Sequence, residues 1–99
     1  MNLTRYIERH RKWSHTTFGD VASPESVTKH IRKELDEIME HPSNPEEWID
    51  VMILAIDGAW RFTGLSPADI SETLEMKQRK NMAREWTVPI PGEPTEHVR

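Results

Sequence analysis

Residues 30–57, HIRKELDEIMEHPSNPEEWIDVMILAID, decide how this chain folds. His41-Pro42-Ser43-Asn44-Pro45 breaks two helical patterns, with Asn44 placed as an N-cap and Pro45 as the first helical residue after it. Upstream, Val27, Ile31, Leu35 and Ile38 keep helical spacing, and Ser23-Pro24 supplies a start. A helix is therefore predicted from Pro24 to about Glu40. Downstream, a second is predicted from Pro45 to about Phe62, stopping near Gly64 as a C′ residue. Trp48, Ile49, Val51, Met52, Ile53, Leu54 and Ile56 cover most of its circumference, and a helix apolar on most sides is normally buried. Trp48 and Trp60 are accordingly read as core.

Working outward, residues 2 to about 14 read as a first helix carrying Leu3, Tyr6, Ile7 and Trp13, with Thr16 to Asp20 as an irregular turn. Ser66-Pro67-Ala68-Asp69 repeats the start signal, with Asp69 at the capping-box position of a helix that runs to about Glu85. From Thr87 onward, Pro89, Pro91 and Pro94 favour an extended tail. No segment alternates like a strand, and no internal repeat is present. The expectation is an all-α four-helix bundle over residues 1–86, with a Pro-rich extended tail over 87–99.

Composition removes several alternatives. A chain of 99 residues supports one small domain, often marginal alone. With no cysteine, neither a disulfide framework nor a zinc–thiolate site holds it together, which fits a cytoplasmic protein. The apolar run Val51 to Ile56 is too short to span a bilayer, and Met1 to Tyr6 lacks a signal-peptide core, so no membrane association is expected. The net charge of −4, from 17 acidic and 13 basic residues, argues against broad nucleic-acid binding. Charge is nevertheless segregated. Residues 5–12 and 77–84 are basic, and the middle is acidic.

The acidic middle carries the chemistry. Glu34-x-x-Glu37 and Glu47-x-x-Asp50 lie on consecutive helices, and residues three apart share a face. If the helices face each other, four carboxylates converge with no interleaved cation, an arrangement that asks for a divalent ion such as Mg²⁺ or Mn²⁺. On the helical wheel Glu34 falls inside the apolar stripe, where an unpaired carboxylate costs several kcal/mol. Glu37 falls at its edge, and alone would be an ordinary solvated flank. His30 and His41 continue the same side. Glu47 has a competing reading as the N3 residue of a capping box with Asn44. Asp57 continues the Glu47/Asp50 line with no such role available.

Two further groups bear on a ligand. Lys77, Asn81 and Arg84 extend the Ile70/Leu74 stripe of the fourth helix, so an apolar face turns cationic. Such a stripe suits phosphate binding, or alternatively salt bridging to the acidic residues. Trp13, His15 and Phe18 surround the first turn, either as core packing or as a slot in which a planar base stacks.

These residues resemble the MazG-like all-α nucleoside triphosphate pyrophosphatases, through both acidic pairs and the later Lys77-x-x-x-Asn81-x-x-Arg84. Trp13, Thr17-Phe18-Gly19, His30-Ile31, Lys33-Glu34-Leu35, Glu47-Trp48, Asp50-Val51, Asp57-Gly58 and Lys80-Asn81 resemble that family's dATP/dGTP diphosphohydrolase-like branch. The likeness spans about residues 10–90. It implies that residues 1–86 form a catalytic domain cleaving (deoxy)nucleoside triphosphates, purine dNTPs (dGTP, dATP) above all, to the monophosphate and pyrophosphate. It further implies that Glu34, Glu37, Glu47 and Asp50 bind two or more Mg²⁺ or Mn²⁺ ions, with Glu34 and Glu37 in catalytic roles. Lys77, Asn81 and Arg84 would hold phosphates, Trp13 and Phe18 would form the base pocket, and Asp57 would be a secondary candidate, either as a ligand or as a group supporting the ligands. The resemblance also implies a homo-oligomer, dimer or tetramer, and a place in a bacterial or bacteriophage nucleotide pool. The alternative from another class is a non-catalytic helical interaction module whose carboxylates are only salt-bridged.

Overall fold

Every helix of this chain starts on a side chain that takes an otherwise unpaired backbone N–H. In the computed structural model, which describes residues 1–99, the helices are α1 (Leu3–Phe18), α2 (Pro24–Glu40), α3 (Pro45–Thr63) and α4 (Pro67–Ala83). Asn2 accepts from the Arg5 N–H at 3.1 Å, Ser23 from Ser26 at 3.1 Å, Asn44 from Glu46 at 3.0 Å and Ser66 from Asp69 at 3.1 Å. Each such cap contributes about 1 kcal/mol. Pro24, Pro45 and Pro67 follow directly, where a missing N–H costs nothing. Ser66 and Asp69 close the expected capping box, and Ser23 closes an unexpected one with Ser26.

Two helix ends differ from expectation. α1 runs on to Phe18, through the segment read as a turn. Thr16 satisfies its hydroxyl on the Lys12 carbonyl at 2.9 Å, so the threonine pair does not break the helix. The stop is Gly19, whose φ of 66° and ψ of −148° lie outside what a side-chain-bearing residue adopts easily. α4 ends at Ala83, short of Glu85, because Arg84 turns extended at φ −82°, ψ 154°. The Trp86 indole then donates to the Asn81 carbonyl at 2.8 Å.

The tail is a folded-back arm. Thr87 N–H donates to the Glu96 carbonyl at 3.0 Å and Val98 N–H to the Glu85 carbonyl at 2.7 Å, so Trp86 and His97 form an isolated antiparallel bridge. Gly92, at φ 83°, lets the arm reverse.

Packing is dominated by the α2–α3 hairpin. α1 packs on α3 and α4, and α4 packs on α1 and α3 but not on α2. The buried hydrophobic side chains are few, Ile7 in α1 and Ile38 in α2, and only Ile7 is fully enclosed. Here the sequence expectation is corrected: no residue of α3 is buried within a single chain. Trp48 is 56% exposed, its indole N–H resting on the Pro42 carbonyl at 2.9 Å, and Trp60 is half-buried. Three neighbouring helices do not surround α3, so its apolar girdle has more area than its own chain covers. Leu35, Met39, Ile49, Met52, Leu74 and Met82 are likewise exposed. No helix is long and apolar enough to cross a membrane.

The two helix-stop glycines make a graded prediction. Gly19→Ala places a Cβ in a nearly glycine-only conformation and should cost about 1–3 kcal/mol. Gly64, at φ 74° and ψ 2°, is left-handed helical, so Gly64→Asn should cost much less. Urea denaturation midpoints give the comparison, and equal costs would contradict this account of the α1 stop.

Candidate functional site

The α2–α3 hairpin places the two acidic pairs face to face. Glu34, Glu37, Glu47 and Asp50 each offer one carboxylate oxygen, and these oxygens all lie within 4.8 Å of one another. Glu34 is only 8% exposed, Glu37 and Glu47 are half-buried, and Asp50 is exposed. Neither lysine nor arginine pairs with any of them. The one cationic candidate in reach is His30, whose Nε2 stands 3.3 Å from Glu34 Oε1, one turn earlier on α2.

Geometry decides between the two readings of Glu47. Asn44 caps through the Glu46 N–H, and the Glu47 carboxylate turns instead into the cluster. Within it, Glu34 Oε2 and Glu47 Oε2 are buried with no hydrogen-bond partner. Burial pushes the pKa of both residues up, and the neighbouring carboxylates of Glu37 and then Asp50 push it further. His30 partly offsets this at Glu34. Four hard oxygen donors, two of them orphaned, fit a divalent Mg²⁺ or Mn²⁺ centre.

A pocket of about 550 Å³ opens beside the cluster. Glu34, Asp50 and His30 line one part, and Trp13, Phe18, Val27, Ile53 and Leu54 supply apolar wall. Trp13 and Phe18 meet edge to face, ring centroids 5.5 Å apart. Both remain more than half exposed, so neither belongs to the core of the single chain. Both come from the last turns of α1: Trp13 from the helix read from sequence, and Phe18 from the stretch read there as a turn. His15 is not in this pocket; it pairs with Asp20 at 3.0 Å on the surface.

Asp57 stands apart from the carboxylate cluster. Its Oδ1 accepts from Ser14 Oγ at 2.6 Å and Trp60 Nε1 at 3.1 Å and meets His10 Nε2 at 2.9 Å. Its Oδ2 accepts from Arg61 Nε at 2.8 Å. Burial raises its pKa, but the Ser14, Arg61 and His10 hydrogen bonds and the Arg61 charge outweigh this, and the carboxyl is held below its usual value. His10, Ser14 and Arg61 were missed from sequence. Their signal was the four-residue spacing of His10 to Ser14 and of Asp57 to Arg61, which stacks each pair on one helix face.

Lys77, Asn81 and Arg84 are not brought to the carboxylates within one chain. Lys77 is exposed, Asn81 Oδ1 accepts from Arg84 at 3.3 Å, and none of the three lines the pocket. A separate hollow of about 610 Å³, lined by Arg9, Arg11, Lys12, His15, Glu8 and Trp60, also lies away from the cluster.

With acidic quartet, aromatic pair and helix order in place, comparison with known proteins becomes decisive. The family model for dATP/dGTP pyrophosphohydrolases matches residues 6–99. This chain belongs to that family. The Eaa protein of Salmonella phage P22 is 39% identical over 95 residues, which is 96% of this chain and 29% of that protein. The chain thus spans less than a third of that relative's length. Among solved structures, the cyanophage S-2L MazG-like pyrophosphohydrolase, bound to dGDP and three catalytic Mn²⁺ ions per active site, superposes with a TM-score of 0.77 at 23% identity. The match covers 100% of this chain and 99% of that one, so the fold is the expected all-α MazG-like type.

The two buried acidic centres should respond oppositely to neutralisation. For Glu34 the folded chain disfavours ionisation, so the penalty is absent below 4.5 and complete above its raised pKa. In EDTA, Glu34→Gln should therefore raise the melting temperature near neutral pH and change little in acid. For Asp57 the stabilisation is present above 3.8 and lost as pH falls through its lowered pKa. Asp57→Ala should cost roughly 3 kcal/mol near neutral pH, because the Arg61 side chain, only 5% exposed, is left without its partner. Thermal melts of both variants across pH provide the check, and a Glu34→Gln variant that melts lower in EDTA would contradict the repulsion account.

Proposed function

We propose that this chain is a metal-dependent pyrophosphohydrolase of (deoxy)nucleoside triphosphates, with purine dNTPs, dGTP and dATP, as its preferred substrates. The observation that carries the reading is the convergence of four unpaired carboxylates, two with orphaned buried oxygens, beside a pocket walled by Trp13 and Phe18. Family membership supports the reaction class and the purine preference. The dGDP and three Mn²⁺ ions in the cyanophage relative support the ligand classes. A phage relative is compatible with a role in adjusting a nucleotide pool.

Glu34, Glu37, Glu47 and Asp50 would hold two or more Mg²⁺ or Mn²⁺ ions. Bound there, the ions neutralise phosphate charge and lower the pKa of the attacking water. The half-buried Glu37 accepts the water's proton. The water oxygen bonds to a phosphorus flanking the α–β bridge, and the P–O bond of that bridge breaks. Pyrophosphate and the nucleoside monophosphate result. Trp13 and Phe18 offer aromatic surface to the base, a contact worth about 1–3 kcal/mol per base in stacking sites. His30 stands 3.3 Å from Glu34 Oε1 at the pocket edge and, when protonated, would partly offset its charge.

Lys77, Asn81 and Arg84 hold phosphates in this proposal, and they reach the carboxylates from a second copy of the chain. Within one chain none of the three lines the pocket or pairs with the carboxylates, which supports a contribution from a second copy. The exposed apolar residues Trp48, Ile49 and Met52 of α3 and Leu35 and Met39 of α2 supply the surface for self-association, as dimer or tetramer.

Two experiments test this. Incubation with dGTP or dATP and Mn²⁺ should release pyrophosphate, and Glu34→Ala or Asp50→Ala should lower kcat by at least about a hundredfold. Release of inorganic phosphate would mean a different cleavage, and absence of Mg²⁺ or Mn²⁺ affinity by calorimetry would favour a non-catalytic interaction module. For the shared site, Glu34→Ala and Arg84→Ala chains co-expressed in one cell should assemble at random. If dimers form, the mixture should regain roughly a quarter of wild-type activity, although each variant alone is nearly inactive. Unrestored activity would place the phosphate ligands elsewhere.

A further inference from the structure

The buried polar knot around Asp57 is the largest feature that the proposed reaction leaves unused. We infer that Asp57 and Arg61 are positioning residues that set the nucleotide-base slot, and that Asp57 is not a metal ligand. This rests on the proposed nucleotide reading for its ligand and on hydrogen-bond accounting for its assignment.

Asp57 is already heavily engaged: three partners crowd Oδ1, and Oδ2 accepts from the Arg61 guanidinium, whose positive charge opposes a second cation there. Its two oxygens engage His10, Ser14, Trp60 and Arg61, at 2.6–3.1 Å. Its low pKa reflects partners already within the protein. Glu34 and Glu47 show the contrary condition, each with a buried oxygen that has no partner. The seven residues from Asp50 to Asp57 also put about 10 Å of helix between the knot and the carboxylate cluster. That is the scale of the distance from a nucleotide's phosphates to its base.

Arg61 carries the positioning outward. It anchors to Asp57 through Nε, then donates from NH1 to the Gly19 carbonyl at 2.7 Å and from NH2 to the Ser14 carbonyl and hydroxyl at 3.3 and 2.8 Å. Only a planar fork makes these bonds at once. They clamp α1 on both sides of Phe18 and next to Trp13, the two rings that wall the pocket. Gly19 accepts this clamp in a conformation few other residues adopt. His10, 8% exposed, lies 6.0 Å from the Trp13 ring and ties it to Asp57 from the other side. The knot therefore holds the angle and distance of the slot against α3, while α2 and α3 alone hold the carboxylates.

Arg61→Lys keeps the charge opposite Asp57 and loses the fork, and Ser14→Ala removes one strut. Both are compared with wild type in the intact chain, by Mn²⁺ calorimetry, by KM and kcat for dGTP, and by NMR of the Trp13 indole and Gly19 amide. KM should rise roughly tenfold, as expected for loss of a well-placed base contact. kcat should stay within about threefold, and Mn²⁺ affinity should not change. The Trp13 and Gly19 resonances should shift. A fall in Mn²⁺ affinity, or a fall in kcat with KM unchanged, overturns the assignment. Should the wild-type chain turn over no nucleotide, the proposed reaction fails by itself, and the NMR comparison still decides the clamp: unmoved Trp13 and Gly19 signals overturn it.

Discussion

Mutual repulsion among four carboxylates is the constraint around which the α2–α3 hairpin is built. Glu34 and Glu37 on α2 face Glu47 and Asp50 on α3 across the most extensively packed helix pair of the chain. Close approach there brings like charges together, and burial of Glu34 and Glu47 compounds the cost. A fold selected for stability alone would relieve this with lysine or arginine at one of the four positions. None is present, and the weak opposition from His30 leaves most of the charge uncompensated. Such a hairpin is stabilised by any cation that binds its folded form, because binding to one state shifts the balance toward it.

A second constraint is area. The chain buries few apolar side chains fully, and α3 buries none. Covering α3 with more helices from the same chain would close the carboxylate face as well, since both lie on one helix. In the proposed assembly, an interface with another copy would cover the apolar sides and leave the acidic line open. Charge segregation follows the same logic. Lys77 and Arg84 at the basic end of α4 form no ion pair with the acidic cluster of their own chain, which leaves that cluster without a cationic partner from α4.

What could be read from the sequence follows from which forces are local. Helix starts were legible because Ser23, Asn44 and Ser66 precede prolines, and capping chemistry acts within three residues. The acidic quartet was legible because i, i+3 spacing fixes a face, and a four-residue break forces the two faces together. The end of α1 was not, since it depends on Arg61 reaching 42 residues back to the Gly19 carbonyl. Nor was the exposure of Trp48 and the α3 girdle, because periodicity reports that a surface is apolar and not which chain covers it. The separation of Lys77, Asn81 and Arg84 from the carboxylates is a matter of helix order in space, which no spacing encodes.

Asp50 and Asp57 show how one helix line serves two purposes. Seven residues apart on α3, they share a stripe and a side-chain type, although the sequence placed only Asp50 in the acidic quartet. Their surroundings separate them. Asp50 faces other carboxylates and solvent, whereas Asp57 meets donors from α1 and its own helix on both oxygens. A carboxylate surrounded by acids is poised to take a cation, and one surrounded by N–H and O–H donors is already satisfied. The first belongs to the chemistry of charge and the second to the placement of α1. Because both are rooted in the same rigid helix, the distance between the two ends of the pocket is set by the rise of α3 and not by loop conformation.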